Sequence, residues 1–208
     1  MKKTLIAVAV VASLGAGASA YADMGNMMMN GDFYVGGGLG ASNTTTPGNQ
    51  AVGSSGNTST GLASQAWVGY NVMQYFGVEL GYNDYANATV NNYGGGATLN
   101  IKAQGVNLGF VFRTPDFNGF NVFAKVGPQY TNTVETSAVS TLVNDSVNIF
   151  YGAGVAYDIT QHLSAQFQWQ QTPQENNKSA NTDLTSSGLG SFDVPRYDIY
   201  TVGLNYKF

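Results

Sequence analysis

The amino-acid sequence predicts an all-β protein, an eight-stranded antiparallel up-and-down β-barrel that crosses a membrane. Three observations carry that prediction. Eight runs alternate apolar and polar residues with the period of two that a strand imposes on its two faces. Their connections alternate in length, short at 73–75, 114–119 and 159–162 and long at 42–61, 85–98, 131–146 and 171–197. Only 10% of the 208 residues are charged, against roughly a quarter in soluble domains. The 27 Gly, 13 Tyr and 11 Phe suit many strands and tight turns better than helices.

A processed segment is expected ahead of the barrel. Lys2 and Lys3 are followed by an apolar stretch from Leu5 to Leu14 and by small residues from Gly15 to Ala20, the layout of a secretory signal peptide. The apolar stretch is shorter than the roughly 20 residues a membrane helix needs. Cleavage is expected after Ala22, with Ala20 as the alternative, giving a signal peptide over 1–22 and a barrel over 23–208. Removing Lys2 and Lys3 from the eight basic residues leaves six against twelve acidic ones, so no basic patch remains to hold nucleic acid. No second stretch is long enough for a membrane helix. An exported chain that is integral to a membrane must then close as a barrel, because lipid satisfies no backbone hydrogen bond.

The strands follow in order. Phe33 to Ala41 sets Phe33, Val35, Leu39 and Ala41 against Gly36, Gly38 and Gly40. Leu62 to Val72 presents Ala66, Val68, Tyr70 and Val72 on one face. Phe76 to Asp84 sets Phe76, Val78, Leu80 and Tyr82 against Gly77, Glu79, Gly81 and Asn83. Leu99 to Arg113 places Val106, Leu108, Phe110 and Phe112 together, yet Lys102 and Gln104 share their parity. A bulge at Gly105 would explain this. A strand that projects above the lipid explains it more simply, and that reading is preferred. Asn121 to Tyr130 sets Val122, Ala124 and Val126 against Phe123, Lys125 and Gly127. Val147 to Asp158 points Ile149, Tyr151, Ala153, Val155 and Tyr157 outward. Leu163 to Gln170 sets Leu163, Ala165, Phe167 and Trp169 against Ser164, Gln166, Gln168 and Gln170. Asp198 to Phe208 closes the set. Glu79, Lys125, Gln166, Gln168 and Asn205 among glycines mark a polar interior. A soluble ligand-carrying barrel would invert the faces.

The closing run is the most specific signal. Tyr200, Val202, Leu204, Tyr206 and Phe208 alternate up to the terminal aromatic, and this resembles the signal that the outer-membrane barrel assembly machinery reads on its substrates. Tyr34, Trp67, Tyr70, Tyr75, Tyr82, Tyr157, Trp169, Tyr200 and Tyr206 lie near strand ends, and those on the lipid face would form aromatic girdles. Trp67 has interior parity and is expected to fill the lumen instead.

Several stretches resemble one family. Tyr75-Phe-Gly-Val-Glu-Leu-Gly-Tyr82 and Lys102-Ala-Gln-Gly-Val-Asn-Leu108 are similar to the third and fourth strands of the OmpA-like transmembrane domain. Gly69-Tyr70, Gly154-Val-Ala-Tyr-Asp-Ile-Thr160 and Val202-Gly-Leu-Asn-Tyr-Lys-Phe208 are similar to it as well. The resemblance implies an outer membrane barrel of a Gram-negative bacterium with a periplasmic N-terminus. The family's larger members add a wall-binding domain. The chain ends at the barrel, so wall anchoring is not carried over. The resemblance also implies a charged lumen network, of which Glu79 matches the acidic member. Val111, Ala156 and Gln166 stand where other charged members are expected, while Lys125 matches a different basic residue. Glu79 is therefore expected to pair with Lys125, with Arg113 nearer the periplasmic rim and Gln166 and Gln168 completing the hydrogen bonds.

The expected role is structural and interactive, an envelope barrel presenting four extracellular loops. A narrow porin-like channel and an adhesin or immune-evasion barrel are the alternatives. No enzyme activity, cofactor or metal site is expected. The single histidine, His162, falls in a short turn, and Met27-Met28-Met29 reads as an N-terminal tail rather than a soft-metal site. The expected partners are outer membrane lipid and lipopolysaccharide, the barrel assembly machinery and host surface molecules met by the loops. The barrel is expected to be a monomer.

Overall fold

The computed structural model describes residues 32–46, 57–93, 97–136, 141–173 and 196–208. The expected signal peptide, Met27 to Met29 and parts of all four long connections lie outside the described residues. The strands are β1 (Phe33–Thr46), β2 (Asn57–Met73), β3 (Phe76–Asp84), β4 (Ala88–Tyr93), β5 (Ala97–Arg113), β6 (Phe120–Thr136), β7 (Thr141–Asp158), β8 (Leu163–Thr172) and β9 (Arg196–Lys207). Every neighbouring pair is antiparallel. β3 pairs with both β2 and β5, and β1 with both β2 and β9, so eight strands close into a ring. β4 prolongs the stave begun by β3 and pairs with the far end of β5.

Closure can be followed residue by residue. From Val155 on β7 the paired partners run through Phe167, Val202, Leu39, Ser64, Asp84, Gln104 and Asn132 and return to β7 at Asp145, ten residues from the start. That stagger, spread over eight strands, corresponds to a tilt of about 40° from the barrel axis. Such a tilt belongs to small membrane barrels.

The three short connections hold one end of the barrel, here the turn end. Between β5 and β6, Phe117 and Phe120 exchange backbone hydrogen bonds around Asn118 and Gly119. Those two residues have φ of 52° and 85°, the left-handed pair that a two-residue hairpin turn demands and that Asn-Gly supplies at least cost. The turn after β7 is tied by Thr160, whose Oγ1 accepts from the backbone N–H of Leu163 at 2.9 Å.

The faces alternate along most of each strand; at the loop end Gln170 to Thr172 on β8 and Tyr197 to Ile199 on β9 are buried in unbroken runs. Val202 is 64% exposed while Thr201 beside it is 1% exposed. Apolar side chains line the outside and polar ones the inside, the reverse of a soluble protein. The predicted outward set is outward in fact. Tyr34 turns into the lumen, as Trp67 does, and takes no part in a girdle.

Three features differ from the sequence reading or decide within it. The strands reach further at the loop end than the apolar alternation, because β1 runs on to Thr46, β2 begins at Asn57, β6 ends at Thr136 and β7 begins at Thr141. These extensions are rich in Thr, Ser and Asn, which carry no apolar period above the lipid yet still pair across strands. Thr60 donates to Asn43 Oδ1 at 2.7 Å, for example. β5 and β6 keep one offset from Asn100↔Thr136 to Arg113↔Phe123, so no bulge exists at Gly105, and Lys102 points outward beyond the apolar band. The irregularity lies instead between β3 and β4. Asp84 pairs with Gln104 but Ala88 with Ile101, so this stave holds one extra residue, which follows Tyr85: Tyr85 keeps the inward parity of Asn83, and Ala86 beside it is buried as well.

Candidate functional site

The lumen is the only chemically distinctive region among the described residues, and its centre is an ion pair. Glu79 on β3 and Lys125 on β6 both have inward parity, and Lys125 Nζ lies 2.6 Å from Glu79 Oε1 with both side chains 6% exposed. A buried charge is tolerated only when paired and hydrogen-bonded. Here Tyr34 donates to Glu79 Oε2 at 3.0 Å, and Lys125 donates a second bond to Gln168 Oε1 at 2.9 Å. The Lys125 ammonium also lies 5.3 Å from the Trp67 ring centre and 5.0 Å from that of Phe123, within cation–π range.

Towards the loop end the hydrogen bonds continue without a break. Gln168 donates to Gln65 Oε1 at 2.6 Å, and Thr201 donates to the same oxygen at 2.6 Å. Gln65 donates in turn to Asn83 Oδ1 at 2.9 Å. Asn83 and Gln170 both donate to Gln129 Oε1, and Gln129 donates to the Tyr85 hydroxyl at 2.7 Å. Above this layer Tyr85, Tyr197, Ile199, Ala63 and Ala103 form a buried apolar cluster.

Towards the turn end Trp67 donates its indole N–H to Asn205, which donates to Gln166 Oε1 at 2.8 Å. Gln166 therefore joins a lower branch and makes no hydrogen bond to the ion pair, unlike Gln168. Val111 and Ala156, two of the positions where the family resemblance leads one to expect charge, pack with Phe123 in a buried apolar cluster. Arg113 lies near the turn end, donating to Asn71 Oδ1, with its guanidinium 4.9 Å from the Tyr34 ring centre. It lines an open vestibule of about 250 Å³ together with Gln166, Asn205 and Lys207. His162 is exposed in the turn after β7.

Glycines make room for this filling. Tyr34 is registered opposite Gly69, Trp67 opposite Gly36, Phe123 opposite Gly154 and Lys125 opposite Gly152. A Cβ on Gly36 or Gly154 would overlap the Trp67 or Phe123 ring. The inward glycines thus encode where large side chains cross the lumen. The sequence reading placed Glu79, Lys125, Gln166 and Gln168 inside. It did not single out Tyr34, Gln65, Tyr85 or Tyr197, although inward parity marks all four.

The family profile of the OmpA-like transmembrane domain matches residues 15–208. The chain belongs to that family. Solved structures with the same fold include Neisserial surface protein A (12% identity, 86% of this chain and 100% of that one, TM-score 0.62). A major outer membrane protein from Thermus thermophilus follows (14%, 86% and 100%, 0.60). Ail, the attachment invasion locus protein of Yersinia pestis, in complex with the heparin analogue sucrose octasulfate, is also similar (13%, 86% and 100%, 0.55). No curated protein matches the sequence itself. These structures are outer membrane barrels, and at such identities they share with this OmpA-like chain its fold and no more.

Proposed function

We propose that this OmpA-like chain is an exported outer membrane protein whose barrel is a sealed scaffold for its four extracellular loops, and that it is neither a channel nor an enzyme. In this reading the turn end faces the periplasm, and a cleaved signal peptide over 1–22 directs export. Outer membrane lipid surrounds the barrel, and the assembly machinery reads the strand that ends in Tyr206 and Phe208. One observation carries the proposal. The lumen is spanned by a continuous set of side chains from Trp67 and Tyr34 through Glu79–Lys125 and Gln65 to Tyr85 and Tyr197. An eight-stranded barrel has room inside for little beyond its own side chains, so nothing wide enough for a solute is left.

The test is planar-bilayer recording of the refolded chain. No stable unitary conductance is expected, and a stable one would overturn the sealed-barrel reading in favour of the narrow channel. A role in surface attachment rests on the loops, as loops carry function on rigid scaffolds. Deleting them singly should lower binding to host surface molecules, and unchanged binding removes that role. Ail is seen with a polyanion, but this chain has twelve acidic against eight basic residues. Its excess of acid makes a polyanion a poor electrostatic match.

A further inference from the structure

We infer that the lumen is closed twice in series, and that an aromatic lid formed by Tyr85 and Tyr197 shuts the loop end independently of the Glu79–Lys125 pair. This deepens the sealed-barrel reading and rests on it. The lid has its own structural origin. Tyr85 keeps the inward parity of Glu79 and Asn83 and the register of β3 with β5, its backbone N–H donating to Ala103 O at 3.1 Å, and the extra residue of this stave follows it. The next residue is anchored separately, since the Ala86 N–H donates to Ser42 Oγ at 2.7 Å. The kink is therefore held from both β5 and β1.

Tyr197 meets it from the other side of the ring of strands. The two ring centres are 4.8 Å apart with planes at 34°, within the range of favourable aromatic pairs. The Tyr197 hydroxyl is bonded to Thr133 Oγ1 at 3.1 Å, which ties β9 to β6 across the lumen. Ile199 closes the gap beside them, while Ala63 and Ala103 are small enough to admit the rings. Tyr85, Tyr197 and Ile199 are 3%, 1% and 1% exposed. The layer is amphipathic in depth. Its rings make a dry stratum, while the Tyr85 hydroxyl points down to Gln129 and Asn83. No lid residue bonds to Glu79 or Lys125, so loss of the ion pair leaves the lid's own contacts intact.

Conductance of paired variants tests this, with heat-modifiable gel mobility confirming that each has folded. Glu79→Ala/Lys125→Ala removes the ion pair and strands neither charge. Tyr85→Ala/Tyr197→Ala removes the lid. Each pair alone should remain non-conducting, and the fourfold variant should show a stable unitary level. If the ion-pair variant alone conducts like the fourfold one, the lid is no seal and the inference fails while the sealed wild type still stands. If a folded fourfold variant stays silent, closure lies elsewhere and the inference fails again. Conductance of the unaltered protein would instead sink the sealed-barrel reading itself.

A second readout needs no current. The chain has no cysteine, so Asn107→Cys places a single thiol on the inward face of β5, below the lid. A membrane-impermeant maleimide added from the loop side should label it slowly. Labelling should speed up by about tenfold or more when Tyr85→Ala/Tyr197→Ala is added, since removing packed contacts raises the open population. Equal rates with and without the lid overturn the inference.

Discussion

A single buried lysine sets the energetics at the residue scale. Glu79→Ala would leave the Lys125 ammonium inside the barrel with only Gln168 and two aromatic faces, and stranding a buried charge costs about 3–5 kcal/mol. The urea midpoint of the refolded barrel should fall accordingly. Glu79→Gln/Lys125→Met, which removes both charges at similar volume, should lie far closer to wild type. Equal losses for the two variants would show that volume, not charge, holds the centre. Gly154→Ala makes the complementary point about space. The new methyl meets both the Phe123 ring and the Phe167 backbone oxygen, and such overpacking costs about 1–3 kcal/mol. Phe123→Leu should recover the ring's share of that loss and leave the share due to the backbone, and additive effects in a double-mutant cycle would remove the proposed ring contact. Parity in the sequence turns Glu79, Lys125 and Gln168 inward, so this centre is legible without coordinates. Tyr85 has the same inward parity, but it lies one residue beyond the readable alternation, which ends at Asp84, and only the structure shows that the register runs on to it.

At the scale of a strand, β5 records where the membrane stops. Leu108, Phe110 and Phe112 are 42%, 42% and 50% exposed on its outer face, and the same face continues through Gln104 to Lys102 with unbroken register. Leu108→Lys should therefore cost about 2–4 kcal/mol, and Gln104→Lys about 0–1 kcal/mol, the depth dependence of a lipid-facing cation. Unfolding in lipid vesicles measures both, and equal costs would mean that the apolar band does not end between these residues. The same boundary explains which strand ends are readable. Turn-end limits follow from apolar alternation that runs to Phe33, Phe76 and Leu163, and to within one residue of Phe120. Loop-end limits do not, because Thr44, Thr45, Thr58 and Thr60 are polar on both faces and their pairing is held by backbone hydrogen bonds and by polar side-chain bonds that leave no apolar period.

Each of the eight staves around the ring is hydrogen-bonded to two neighbours, and that governs how the whole molecule comes apart. In an open sheet the last strand frays first, whereas here the closing strand β9 is hydrogen-bonded on both sides, to β1 and β8. Loss of any one pairing exposes backbone groups that lipid cannot satisfy, so unfolding should be a single cooperative transition. The two tryptophans report on opposite sides of the wall. Trp67 is 4% exposed inside the lumen, and Trp169 lies on the outer face, 5.8 Å from the Tyr151 ring centre. With Trp169→Phe and Trp67→Phe each leaving one fluorophore, brominated acyl chains should quench Trp169 strongly and Trp67 scarcely at all. Their urea midpoints should differ by no more than the small cost of each substitution, once far-UV circular dichroism on the same samples supplies the reference. Equal quenching would mean that the faces are inverted. A lumen transition that clearly precedes the loss of strand signal would mean that the plug melts inside a standing barrel, and the polar network would then be cargo of the wall rather than part of what holds it closed.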